Sequence, residues 1–175
     1  EFKEYKAGDL AGWLGPELLE ALAPPAGEKG KPEKLLKRLR AEGRDSLLIE
    51  EIAMRKAADL IVEEGLAGFT PTAVTQRAEM SNGALFSHFP TRLELLAATV
   101  EHVLTRLRDD YEAGFTRLVE HGASPETLLD MLWESMSDPQ FCAVIAVYTQ
   151  ARTDGELLVA LHDVVVEHGA YVGAI

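Results

Sequence analysis

The chain has one cysteine, Cys142, among 175 residues. An internal disulfide and a zinc site built on a cysteine pair are therefore excluded, and a lone thiol fits a reducing cytoplasm. Cys142 falls in the stretch Phe141 to Tyr148, where it is expected to be buried filler rather than a reactive group. That stretch is the longest apolar run and is far shorter than the ~20 residues that cross a bilayer. The opening residues, "EFKEYKAGDL", lack the apolar run of a secretory signal. No glycine loop of the phosphate-cradling kind is present, and no internal repeat. Glu101-His102, Glu120-His121 and Glu167-His168 are adjacent pairs, and neighbours on a helix point different ways, so they read as solvated surface rather than metal ligands. No catalytic site, metal or cofactor is expected.

Basic residues are also scarce, 17 against 29 acidic, for a net charge of −12. Such a balance argues against a nucleic-acid partner unless the charge is unevenly spread. It is. Residues 1–43 are neutral, 44–91 carry net −3 and 92–175 carry net −9. Within the first block Lys29 to Arg40 holds six basic residues against Glu33.

What is present is helical periodicity. Residues 1–31 read as an irregular leader with one short helix, Pro16 to Leu22. "PEKLLKRLRAEG" follows as a basic helix ending at Gly43. From Asp45 a long helix shows Ile49, Ile52, Ala53, Ala57, Leu60 and Ile61 on one side and ends at Gly65. Thr70-Pro71 and Ser81 are N-cap signals for two short helices, the second stopped by Pro90. Thr91 and Glu94 form a capping box for a long helix with an apolar stripe at Leu93, Leu96, Val100, Leu104, Leu107, Tyr111, Phe115 and Leu118. Further helices are expected from Ser124-Pro125, Asp138-Pro139 and Gly155, and nothing reads as a strand. The fold class is all-α.

The two short helices, with Val74, Ala78, Met80 and Leu85 turned inward, have helix-turn-helix spacing. In that motif the second helix enters the DNA major groove. Gly83 and Ala84 permit close approach, and an alanine methyl can touch a thymine methyl. Asn82 can pair with adenine, while Ser81 and His88 can reach phosphate oxygens. The same spacing also fits a plain helical hairpin in which Ser-Asn-Gly is only a cap and a turn.

Residues 77–96, "RAEMSNGALFSHFPTRLELL", and the helix before them resemble the DNA-binding region of the TetR (tetracycline-repressor) family. Arg77-Ala78, Ser81, Gly83, Leu85, Phe86, His88-Phe89-Pro90 and Leu95-Leu96 carry the likeness. The later "SDPQFCAVIAVYTQARTDGELLVALHDVVVEH" is more weakly similar to that family's ligand-sensing helices. The resemblance implies a dimeric, ligand-responsive regulator, usually a repressor, that binds a palindromic operator. It implies that Ser81, Asn82, Ala84, Phe86, Ser87 and His88 face DNA, with Thr70, Thr72 and Arg92 on phosphates.

Four departures stand out. Phe86 replaces the commoner Tyr, Glu79 stands where glycine usually makes the turn, Asn82 stands where Lys or Arg is usual, and the head is acidic. Lys37, Arg38 and Arg40 of the basic stretch are candidate phosphate contacts that offset the acidity; the alternative is a solvated helix resting on Leu35, Leu36 and Leu39. The organisation expected is an N-terminal extension (1–43), a helix-turn-helix domain (44–91) and a helical regulatory domain (92–175) that lacks the two last helices of the resembled family. Trp133, Met136, Phe141 and Tyr148 are candidate pocket-lining residues, with plain core as the alternative. The acidity of that half favours an uncharged or cationic, largely apolar effector. The competing function is a helical interaction module that has lost DNA binding.

Overall fold

The computed structural model describes residues 45–172, with side chains from 48 to 171. The expectations for the leader and basic helix, Lys37, Arg38 and Arg40 included, lie outside the described residues. Within them the chain is all-α. The helices are α1 (Asp45–Gly68), α2 (Pro71–Arg77), α3 (Asn82–His88), α4 (Arg92–Glu120), α5 (Pro125–Met136), α6 (Pro139–Ala151), α7 (Gly155–Ala160) and α8 (His162–Val172).

Their boundaries follow from local chemistry. Thr70, Ser81, Thr91, Ser124, Asp138 and Asp154 each accept a backbone N–H of the following first turn through a side-chain oxygen. A cap of this kind contributes about 1 kcal/mol. Pro71, Pro125 and Pro139 take the first helical position, where no N–H is needed. Gly65 breaks the helical path of α1 with φ 68° and ψ −175°, a conformation that glycine adopts without steric cost.

Burial then orders the helices. Ile49, Ile52, Ala53, Ala57, Leu60 and Ile61 of α1 are buried, as their periodicity predicts. Ala53, Ala57, Leu60 and Ile61 share one cluster with Val74 and Leu85 of the two short helices, Leu95, Leu96, Val100 and Val103 of α4, and Val144 and Val147 of α6. One continuous apolar cluster runs from Ala53 to Val164, so the head and the later helices share a core. The 29 residues of α4 span about 43 Å at the usual rise. Its first half is buried against α1 and α6, while its second half runs beside α5, where Phe115 of the predicted stripe stays exposed. Gly114 lets α5 come close, since a Cβ there would lie 3.1 Å from Met131 Sδ.

Cys142 corrects an expectation. It is exposed, because α6 turns Val144, Val147 and Ala151 to the core and shows Cys142 and Ile145 to the outside. In a segment apolar all round, composition does not say which face is inward. No helix among the described residues is long and apolar enough to cross a membrane.

Candidate nucleic-acid interface

The turn between α2 and α3 is closed by backbone bonds from Ala78 N to Val74 O (2.8 Å) and from Met80 N to Thr75 O (3.0 Å). Between them Glu79 has φ +51°, the left-handed region that favours glycine. The position where Glu replaces glycine is therefore the position that needs a left-handed residue. Val74, Ala78 and Leu85 are fully buried, and they fix α3 across α2 and α1.

That packing turns the start of α3 outward. Ser81, Asn82, Gly83, Phe86 and Ser87 are exposed, with Phe86 at 44%, and Ala84 is half-buried. The Ser81 hydroxyl is occupied by the Ala84 N–H (3.1 Å), and Ser87 Oγ donates to the Ala84 carbonyl (2.7 Å). Gly83 is informative. It has no positive φ, and an added Cβ would meet only Ser81 Oγ at 3.9 Å. Glycine costs up to about 1 kcal/mol against alanine in a helix interior, and less in a first turn such as that of Gly83. The protein's own packing does not require that sacrifice.

Two side chains hold the exposed face from behind. The buried Thr75 hydroxyl lies 2.9 Å from Asn82 Oδ1 and 3.0 Å from the Thr72 carbonyl, so it pins the Asn82 amide. His88 Nδ1 lies 2.9 Å from Glu50 Oε1 and ties the end of α3 to α1. Neither Thr75 nor Glu50 is legible in sequence as part of the site, because nothing in the chain order announces those contacts.

Thr70 caps α2, Thr72 is exposed on it, and both lie at its first turn. Arg92 is engaged inward. Its Nε donates to Phe69 O (3.0 Å) and its Nη2 to Leu66 O (3.2 Å), with the guanidinium over the Phe69 ring. Arg77, the one cation of α2 and α3, pairs with Glu63 at 2.6 Å and Glu64 at 3.7 Å, and the hydrogen bond it donates to Glu63 foremost raises its pKa.

The four candidate pocket residues are not brought together. Trp133 is 73% exposed and Met136 is exposed on α5, whereas Phe141 and Tyr148 of α6 pack partly buried against the core. Burial raises the Tyr148 pKa, and its hydroxyl has no hydrogen-bond partner. A cavity of about 170 Å³ lies elsewhere, between α1, α4 and α6, and none of the four lines it.

An all-α chain with a paired-helix head set on a long connecting helix is a helix-turn-helix protein. Residues 45–99 match the family model described as bacterial regulatory proteins, tetR family. Over those residues the chain is similar to that family. It is 27% identical over 119 residues to an uncharacterized HTH-type transcriptional regulator of Mycobacterium tuberculosis, covering 68% of this chain and 61% of that protein. A counterpart from Mycobacterium bovis gives the same figures. It is 32% identical over 101 residues to the HTH-type transcriptional regulator CymR of Pseudomonas putida, covering 58% of this chain and 50% of that one. The chain thus spans about three fifths or less of the length of these relatives. No solved structure matches.

Proposed function

We propose that the chain is a cytoplasmic, ligand-responsive transcriptional regulator, a repressor, that binds double-stranded operator DNA through α3 as a homodimer. The observation that carries this reading is Gly83, a glycine on an exposed helix face that nothing inside the protein demands. A surface kept small at a helical cost is explained by a partner pressed against it. Major-groove edges suit it, since Asn82 and Ala84 offer an amide and a methyl beside the glycine. The regulators of mycobacteria and Pseudomonas to which the chain is similar support the same assignment.

In this reading Ser81, Asn82, Gly83, Ala84, Phe86 and Ser87 face bases or nearby phosphates, and Thr70 and Thr72 sit on the backbone. Lys37, Arg38 and Arg40 add phosphate contacts that the acidic head does not supply. His88 and Arg92 act mainly by holding the head together, through Glu50 and through the Leu66 and Phe69 carbonyls. A small apolar effector acts on the helices after residue 92, where Trp133 and Met136 offer apolar surface. It changes DNA affinity only by preferring one head arrangement over another.

The deciding experiment is selection of binding sites from random double-stranded DNA at low and moderate salt. Recovery of a palindromic consensus supports the proposal. Pools that stay random at both salts favour a helical interaction module, a reading supported by the neutralised Arg77 and the net −3 of the head. Calorimetry of candidate apolar ligands with and without the selected site tests the switch. Coupling on the order of 1–3 kcal/mol is expected, and equal in both directions.

A further inference from the structure

Asn82, Gly83, Phe86 and Ser87 share the exposed side of α3, because residues three and four apart on a helix are neighbours. The hydrogen bonds already made on that side limit what it offers a partner. Ser87 Oγ has given its proton to the Ala84 carbonyl, and Ser81 Oγ accepts the Ala84 N–H. Asn82 Oδ1 faces the buried Thr75 hydroxyl at 2.9 Å, which leaves the Nδ2 amine, a donor, as the outward group of that amide. The basic side chains of α2 and α3 are engaged elsewhere, Arg77 with Glu63 and Glu64 and His88 with Glu50.

The rest of the face is apolar. Phe86 is 44% exposed, and a helical side chain leans over the turn N-terminal to it, here the turn of Asn82 and Gly83. Only Ser81 Oγ lies within 4 Å of the place where a Gly83 Cβ would stand, so the ring leaves that place open. A donor, an exposed ring and an open notch are set together on one turn of helix.

We propose that α3 reads thymine, the Asn82 amine donating to O4 and the 5-methyl packing on the Phe86 ring in the space that Gly83 leaves. The inference rests on the operator-binding reading above and adds to it the base that is read. In the major groove thymine alone shows an acceptor beside a methyl. Guanine shows two acceptors and no methyl, and its commonest partner is a forked cation, which α3 does not present. Adenine sets an amine beside its N7, and reading both needs the amide oxygen that Thr75 draws inward. Phe86 fits the same role. Without a hydroxyl its ring makes no phosphate bond, and it meets a methyl without stripping water from a polar atom.

The test uses the full chain and the palindrome recovered by selection. Replacing the thymine that is read with deoxyuridine, which removes only the 5-methyl, weakens binding about three- to tenfold. Phe86→Ala, a change at an exposed position, binds the two sites equally. A 5-methylcytosine–guanine pair keeps the methyl but exchanges the O4 acceptor for an amine, and weakens binding about tenfold or more. Asn82→Asp, the same shape with an acceptor in place of the amine, narrows that ratio. A half-site without thymine, deoxyuridine bound as tightly as thymine at every position, a Phe86→Ala variant that still separates the two, or an unchanged ratio in Asn82→Asp overturns the proposal and leaves operator binding intact. Pools that stay random at both salts overturn the operator reading itself, and thymine reading with it.

Discussion

His88 Nδ1 and Glu50 Oε1, 2.9 Å apart, join the end of α3 to α1 across 38 residues of sequence. The contact is partly shielded, with the His88 side chain 15% exposed. Alanine at either position is expected to loosen α3. A double-mutant cycle on thermal stability should return a coupling of about 0.5–1 kcal/mol. A cycle that closes on zero removes the tie.

Gly83→Ala should separate stability from recognition. The methyl meets nothing closer than Ser81 Oγ at 3.9 Å, so the fold gains up to about 1 kcal/mol of helix propensity. Affinity for the selected operator should fall about tenfold or more, because a methyl intrudes where the backbone must approach the groove. Unchanged affinity in a stabilised variant would show that Gly83 faces no close partner.

Asn82→Ala is expected to lower specific operator binding by about 1–3 kcal/mol while leaving binding to random DNA nearly unchanged. The stability loss should stay within about 1 kcal/mol, since the Thr75 hydroxyl keeps the Thr72 carbonyl as acceptor. Thr75→Val should also weaken specific binding, although Thr75 is buried, because it frees the Asn82 amide to rotate. Competition assays against random DNA check both. Equal losses on operator and random DNA contradict the base-reading role.

Glu79 stores strain. Its φ of +51° costs a non-glycine residue roughly 1–2 kcal/mol, of which glycine recovers part after its greater freedom in the unfolded chain is counted. Glu79→Gly should therefore stabilise by about 0.5–1 kcal/mol in urea unfolding, and Glu79→Ala should not. Two variants of equal stability would mean that the turn relaxes without strain.

The partly buried His102 sets a pH dependence. Desolvation first of all lowers its pKa below the ordinary 6.5, opposing the pull of Glu51, and Arg55 and Arg106 lower it further. The unfolded chain then binds the extra proton more readily than the folded one. Its contribution is complete above about pH 6.5 and is lost as pH falls through that value towards the folded pKa. Thermal melts from pH 7.5 to 5 should show His102→Gln losing less stability on acidification than the parent. Parallel curves would place the acid sensitivity elsewhere.

Much of the fold is legible in the chain because its determinants are local. Thr70, Ser81, Thr91, Ser124 and Asp138 mark helix starts through bonds to residues two or three positions on, and the buried face of α1 follows from a 3.6-residue period. Residues 45–99, which match the tetR family model, hold the starts at Thr70, Ser81 and Thr91. Cys142 was not legible, because α6 is apolar on all sides and only its neighbours choose the inward face.

Sequence alone determined the helix starts as far as α7, the turn at Glu79 and the small residues that open α3, since each depends on residues within one or two turns of one another; the separate start of α8 at His162 was not among them. Tertiary structure decided which side chains stand behind that face and where the cations gather. Glu50 reaches His88, Glu51 reaches His102 and Arg106 reaches Gln140 over separations of 34 to 51 residues, distances closed only when α1, α3, α4 and α6 bury a common core. Charge counted along the chain assigns Arg55 and Arg106 to different acidic segments. Packing α1 on α4 puts both on one cavity, because burying apolar area outweighs the weak repulsion of partly solvated cations.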